Sequence, residues 1–399
     1  MKDDAATKKF TGSFTQQEPI PEEAIHAATE VLRHGRLHRY NLNPGEDGET
    51  AQLEREFSDY LGAQYVLAVT SGGYALATAL RALGVHPGDK ILTNAFTLAP
   101  VPGAIAAVGA QPVFVETTEA LTIDLNDLAA KAAETGATVL MLSHMRGHQP
   151  DMDRLMQIAG DAGLKVVEDC AHTMGGMASG ERSGRHGTVA CYSTQTYKHM
   201  NSGEGGFLAT DDADIAAKAT LLSGSYMLYD RHGAGPDAQA FEPYRDTTPN
   251  VSGRMDNLRA AILRPQLASL PDRVARWAVL HDAMEAALRD VPAIRLIERD
   301  PALVRVGSSF QFLLPRKSGD WMTDFVARCA SRGVELKWFG AARAKGFTSS
   351  YKNWAYAGAH NMPGTDRVLA GLLDMRLPLT FSVDECKLIA DIIVSEAKA

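Results

Sequence analysis

Residues Cys191–Thr210 read CYSTQTYKHMNSGEGGFLAT, and the lysine inside them sets how the rest of the chain is understood. Two short strand-like runs, Ala190–Ser193 and Gly206–Thr210, enclose a polar, glycine-bearing segment that carries Lys198. Strand ends and the loops that follow them are where α/β proteins present reactive groups, so an amine confined there predicts a Schiff-base nucleophile. Taken alone, a loop lysine is a solvated surface group. Two segments upstream change that balance.

KVVEDCAH, Lys165–His172, is a β-branched apolar run that presents Asp169 where a buried strand should emerge. YVLAVTSGGYALATAL, Tyr65–Leu80, reads as a strand, then Ser71, Gly72 and Gly73, then a helical pattern. Small residues at such a turn leave backbone N–H groups exposed at a helix N-terminus, which is an anion site. A phosphate holder, a buried carboxylate and a lysine therefore follow in chain order. Pyridoxal 5'-phosphate requires these parts: an anchored phosphate, a carboxylate that keeps the pyridine nitrogen protonated, and an amine that captures the aldehyde.

With those residues in place the chain resembles the DegT/StrS group of pyridoxal-phosphate-dependent sugar aminotransferases of fold type I over nearly its whole length. The landmarks are LGAQYVLAVTSGGYAL, GDKILTNAFTLAPVPGAIAAVGAQPVFVE, VVEDCAHTMGG, YSTQTYKHMNSGEGGFLATDD and the weaker GRMDNLRAAILRPQL, all in the family's order and spacing.

Composition is ordinary for a soluble globular protein. The 399 residues are 45% hydrophobic and 22% charged, enough for a large core. A formal net charge of −8 and the lack of basic tracts argue against nucleic acid or anionic membranes as partners. No run approaches the roughly 18 apolar residues a membrane span needs, and MKDDAATKKF lacks the apolar stretch of a secretory leader, so the cytoplasm is the expected address. Cys170, Cys191, Cys329 and Cys386 are widely spaced without a CxxC pair and read as reduced thiols.

Alternating patterns predict an α/β fold with a mostly parallel seven-stranded sheet flanked by helices. The strands are Tyr65–Val69, Lys90–Thr93, Pro112–Glu116, Thr138–Ser143, Lys165–Glu168, Ala190–Ser193 and Gly206–Thr210. Helices are expected at Tyr74–Leu83, Pro100–Val108, Leu125–Glu134, Met152–Ala162 and Ala213–Leu222. Three parts follow: residues 1–49 as a polar arm and active-site loop, 50–270 as the large cofactor-binding domain, and 271–399 as a linker helix with a smaller α+β domain. The irregular segment Ser223–Gly253 is long enough to carry function or subunit contacts. Ligands of such a sheet bind at the carboxyl ends of its strands, where Ser71, Asn94–Thr97, His144, Asp169 and Ser193 fall.

The resemblance assigns roles residue by residue. Lys198 is to form the imine with the cofactor and shuttle the proton; burial beside the cofactor lowers its pKa and keeps it nucleophilic. Asp169 is to pair with the pyridinium nitrogen, and His172 with the phenolic oxygen. Backbone N–H groups of Gly72 and Gly73 and the hydroxyl of Ser193 are to hold the phosphate. The family usually has Thr where this chain has Gly73, and an asparagine, lent across a dimer, where it has Ser252; Asn250 is the expected substitute. The family's stacking aromatic aligns with Leu98, so Phe96 is expected to take its place. His144 and His148 stand four apart, but Gly147 and Pro150 break any helix there, and no metal is expected.

The resemblance further implies a homodimer in which glutamate or glutamine yields pyridoxamine 5'-phosphate, and a keto or aldehydo group of a sugar-like acceptor receives the nitrogen. An aminobenzoate-type synthase and a non-catalytic regulatory protein on the same fold are the alternatives.

Overall fold

The computed structural model describes residues 8–43, 45–343 and 350–398. Its centre is a sheet of seven strands: β1 (Tyr65–Val69), β2 (Lys90–Asn94), β3 (Gln111–Val115), β4 (Val139–Ser143), β5 (Lys165–Asp169), β6 (Val189–Ser193) and β7 (Gly206–Thr210). They lie in the order β1-β7-β6-β5-β4-β2-β3, with β7 antiparallel to both neighbours and the other pairings parallel. The sequence anticipates all seven, two with identical bounds.

Continuous apolar strands arise because both faces are covered. In β4, Val139 and Met141 face the helices α3 (Gly72–Ala82), α4 (Pro100–Ala107) and α7 (Ala213–Leu222). Leu140 and Leu142 face α5 (Leu125–Thr135) and α6 (Met152–Asp161) on the other side. The period of two in the strand thus divides one hydrophobic run between two cores. Helix starts are fixed locally: Asp124, Asp151 and Asp212 each accept a backbone N–H from the first turn of α5, α6 and α7.

Before β1 stand α1 (Glu22–His34) and α2 (Glu49–Leu61); after the large sheet, α8 (Asn257–Ala268) and α9 (Leu270–Leu288) lead to a smaller layer. There β8 (Arg295–Leu296), β9 (Ser309–Leu313), β10 (Lys337–Trp338) and β11 (Leu372–Arg376) pair antiparallel in the order β8-β9-β11-β10. Helices α10 (Gly319–Ser331) and α12 (Val383–Ala397) cover this sheet, and α11 (Pro363–Ala370) precedes β11.

The segment read as a polar arm carries its own anchors. Phe10 and Phe14 are buried edge-on against Phe381, at centroid distances of 5.0 and 5.2 Å. The Phe10 N–H donates to the Arg332 carbonyl at 2.9 Å, and Arg332 Nε donates to the Lys8 carbonyl. Gly333 makes this approach possible: at φ +84° it carries no side chain, and a Cβ there would lie 1.9 Å from the Phe10 oxygen.

The loop that follows α1 is tied down by a buried network. Arg39 binds both oxygens of Glu54 at 2.7 Å, and Glu54 also accepts the Ala68 N–H. Tyr40 donates its hydroxyl to Ser225 and meets His232 Nδ1 at 2.8 Å, so residues 36–42 and 223–232 are held as one unit.

Candidate active site

Three parallel strands deliver polar groups to one place. Ser143 ends β4, Asp169 ends β5 and Ser193 ends β6. Asn94, at the end of β2, clasps the backbone of Ser143 from both sides, accepting its N–H at 2.9 Å and donating to its carbonyl at 3.1 Å. Thr97 donates to the Ser143 hydroxyl at 2.8 Å, which leaves that hydroxyl to donate to Asp169 Oδ2 at 3.3 Å; Asp169 Oδ1 accepts the Ala171 N–H. The Asp169 carboxylate is thereby oriented by a chain of groups that begins two strands away. Burial pushes its pKa up, while the Ala171 N–H and the nearby Lys198 pull it down.

Lys198 Nζ lies 2.8 Å from His172 Nε2, and the other ring nitrogen of His172 accepts the backbone N–H of Arg146 at 3.3 Å. An Nδ1 that accepts leaves the ring proton on Nε2. That tautomer donates to the Lys198 amine in its neutral form. Desolvation lowers the Lys198 pKa from 10.5 to about 8, with Asp169 opposing and Arg146 and Arg376 reinforcing the drop, which raises the neutral share of the amine. The same burial, together with Lys198, holds His172 well below the ordinary histidine range, so its ring is neutral.

An anion cradle lies beside these groups. Ser71 caps α3 by accepting the Tyr74 N–H, which leaves the first N–H groups of the helix pointing outward. Gly72 sits so close to β6 that a Cβ would lie 2.9 Å from that of Ser193. This contact brings the Ser193 hydroxyl to the helix N-terminus. Gly73 is different: a Cβ there would meet only Pro100, at 3.9 Å, so the place of the family's threonine is open space. These residues fit the phosphate, ring nitrogen and aldehyde of pyridoxal phosphate.

Above Lys198 opens a cavity of about 300 Å³ lined by Leu98, Arg146, His172, Tyr197, Trp277 and Arg376, among others. Larger clefts exist, including one of about 910 Å³ along residues 278–305, but they hold none of the expected site residues. Sequence reasoning missed Arg146, Tyr197, Trp277 and Arg376. Of these only Arg146, in HMRG directly after a strand, sits where a strand-end rule would have flagged it.

Phe96 does not line this cavity, which corrects the stacking role expected for it. Its N–H is held by Thr117 Oγ1, and its ring is 1% exposed, packed edge-on against Phe339 at 5.1 Å within an apolar cluster. Leu98 presents an aliphatic side chain instead. Asn250 is exposed and outside the cavity, next to Val251, whose carbonyl accepts the Tyr74 hydroxyl of α3.

The other ionisable groups at the strand ends serve the scaffold. Glu168 faces away from Asp169 and accepts the N–H groups of Gly184, His186 and Gly187, with His144 Nε2 at 2.9 Å. His144, Glu168 and Cys170 do converge, yet the Glu168 oxygens are already engaged and burial pushes the Cys170 thiol well above its usual range. His148 turns the other way, to Gln311 Oε1 at 3.0 Å.

Residues 19–394 match the profile of the DegT/DnrJ/EryC1/StrS aminotransferase family. The chain is 34% identical to 3-amino-5-hydroxybenzoate synthase of Amycolatopsis mediterranei over 61% of its own length and 62% of that protein's. It is 32% identical to UDP-2-acetamido-2-deoxy-3-oxo-D-glucuronate aminotransferase of Pseudomonas aeruginosa, over 67% of this chain and 69% of the relative. The crystal structure of DesV from S. venezuelae, solved in complex with a ketimine intermediate, superposes with a TM-score of 0.78 at 26% identity, covering 94% of this chain and 95% of the other. The profile match across almost the whole chain, together with a strand-end site that suits the cofactor, makes this protein a pyridoxal-phosphate-dependent member of the DegT/DnrJ/EryC1/StrS aminotransferase family.

Proposed function

We propose that this aminotransferase moves nitrogen from glutamate or glutamine to a keto or aldehydo group of a sugar-like acceptor, working as a cytoplasmic homodimer. One observation carries the reading: a buried lysine amine, its pKa lowered to about 8, held by His172 near the Asp169 carboxylate at the floor of a cavity of about 300 Å³. Pyridoxal phosphate, when bound, supplies the aldehyde and the electron-withdrawing ring that make the substrate Cα acidic. Lys198 Nζ, freed from solvation, is the base that takes the Cα proton and the acid that returns it. Asp169, aligned by Ser143, keeps a proton on the ring nitrogen. His172 Nε2–H, which points at Nζ here, is the donor for a phenolic oxygen arriving at that position. Gly72, Gly73 and Ser193 hold the phosphate.

The acceptor class is supported by relatives whose names are those of sugar aminotransferases. Exposed Asn250 suits a residue lent to a second subunit. Four buried free cysteines and the lack, among described residues, of a helix able to cross a membrane agree with the cytoplasm. A second reading, an aminobenzoate-type synthase, is favoured by the 34% identity to such an enzyme.

The test is spectroscopic. The purified protein should show the visible absorbance of lysine-bound cofactor, and glutamate or glutamine should bleach it. A colourless protein, or colour indifferent to every amino donor, would overturn the reading. Recovery of colour with keto sugars but not with cyclic aminobenzoate precursors separates the two acceptor classes.

A further inference from the structure

The turn that follows β4 is gripped from the smaller sheet. Gln311 and Asp374 face each other across β9 and β11, and each reaches that turn. Asp374 Oδ2 accepts the Arg146 Nη2–H at 2.7 Å, with both side chains buried, and Gln311 Oε1 meets His148 Nε2 at 3.0 Å. Gln311 Nε2 donates to Asp374 Oδ1 at 2.8 Å, which fixes how the carboxylate is turned. Arg305 donates to Gln311 Oε1 at 2.9 Å, so the amide is held at both ends.

The grip maintains a backbone shape that an arginine does not adopt by itself. Arg146 lies at φ +58° and Gly147 at φ +86°. For a residue with a side chain this left-handed region is disfavoured about 5- to 30-fold, whereas glycine enters it freely. In this shape the Arg146 N–H reaches His172 Nδ1 at 3.3 Å, and the opposite ring nitrogen faces Lys198 Nζ at 2.8 Å. Desolvation, reinforced by Lys198 and Arg146, keeps the His172 ring neutral, so the place of its single proton is the freedom that remains. A main-chain N–H at Nδ1 puts that proton on Nε2 and makes the ring a donor there. Without it the proton can sit on Nδ1, and Nε2 becomes an acceptor.

Resting on the aminotransferase reading above, we propose that Asp374 is a positioning residue for transamination: it clamps the Arg146 side chain, the clamp holds the left-handed turn, and the turn keeps the His172 proton on Nε2, toward Lys198. Docking of the smaller sheet thereby sets the hydrogen-bonding character of a ring at the reacting amine. Asp374 also acts on Arg376 through its charge, and substitutions at position 146 separate that route from this one.

Arg146→Ala loses the clamp and keeps the penalty on the turn; Arg146→Gly loses the clamp and the penalty together. Nitrogen NMR of isotope-labelled histidine side chains reports the tautomer in the full-length, cofactor-free protein, the His172 signals being those missing from His172→Gln. Asp374→Asn and Arg146→Ala should each raise the Nδ1–H share of His172 about 5- to 30-fold, while Arg146→Gly stays close to wild type. In the holoenzymes, the single-turnover loss of colour with L-glutamate should slow in the same order. Adding Asp374→Asn to Arg146→Gly should change His172 no further, since the clamp is already gone. Where a single variant fails to fold, the alanine and glycine proteins that also carry Asp374→Asn bury neither charge of the pair and keep the comparison. An unaltered His172 in Asp374→Asn, a glycine variant as disturbed as the alanine one, or a further shift on adding Asp374→Asn to Arg146→Gly overturns the proposal. Wild-type colour that ignores every amino donor defeats the aminotransferase reading instead, and the tautomer, measured without cofactor, still judges the clamp.

Discussion

Replacing Asp169 by asparagine separates two things the site does at once. In the wild-type protein the Lys198 pKa falls from 10.5 to about 8, chiefly by desolvation, while Asp169 pulls it upward. A drop of that size raises the neutral fraction at neutral pH about 300-fold, from about one amine in three thousand to about one in ten. Removing the carboxylate removes the upward pull, so the midpoint in Asp169→Asn should move below 8. The assay mixes cofactor-free protein with pyridoxal phosphate across a pH series and follows the rate of visible colour formation. Below the midpoint the rate should climb about tenfold per pH unit, and above it level off. The variant should reach its plateau at lower pH than wild type, yet its transamination should fall by about 100-fold or more, because the ring nitrogen has lost its partner. A wild-type midpoint near 10.5, or a variant midpoint that rises, would refute the geometry: the first denies the burial of the amine, the second denies that Asp169 faces it.

Gly73→Thr fills open space at the phosphate cradle with the hydroxyl the family normally supplies there, so dialysis against a carbonyl-trapping amine should strip the cofactor more slowly; faster loss would show that the space is not beside the phosphate. Glu54→Gln leaves Arg39 buried without its bidentate partner and should cost about 3–5 kcal/mol in urea unfolding, with an effect under 1 kcal/mol contradicting the network's place in the core. Phe96→Leu should lose about 1–3 kcal/mol of stability with no change in the cofactor's absorbance maximum, whereas a shifted maximum would return Phe96 to the ring.

The sheet was legible because its signal is local. A strand such as VLMLS is apolar over nearly its whole length, and α5, α6 and α7 each begin at a capping aspartate, so type and order follow from short windows. Asp169, Ser193 and the glycine turn were legible for a related reason: in a parallel sheet, strand ends are coplanar, so chain position nearly determines spatial position. Arg376 had no such signal. It belongs to the smaller sheet and meets Tyr197 only through the docking of two layers, while Arg146 finds Asp374 across 228 residues. Phe96 failed in the opposite direction. An aromatic next to the expected spot looked adequate, but the Phe96 N–H donates to Thr117 Oγ1 and the ring packs against Phe339 instead. The N-terminal segment read as polar because two phenylalanines are too few to create a periodic pattern, although each is anchored by rings more than 300 residues away.

That anchoring dictates an order of assembly. Lys8 and Phe10 bond to Arg332, a separation of 324 residues for the first, and Phe10 and Phe14 seat on Phe381. During synthesis the hydrophobic tip of this segment has nowhere to go while the whole seven-stranded sheet is being made, since its seat is translated hundreds of residues later. At ribosomal rates of about 5–20 residues per second, the two rings wait tens of seconds in the open. Gln17, a few residues on, lines the cavity over Lys198, so the segment that carries these late-seated rings also supplies part of that cavity's wall.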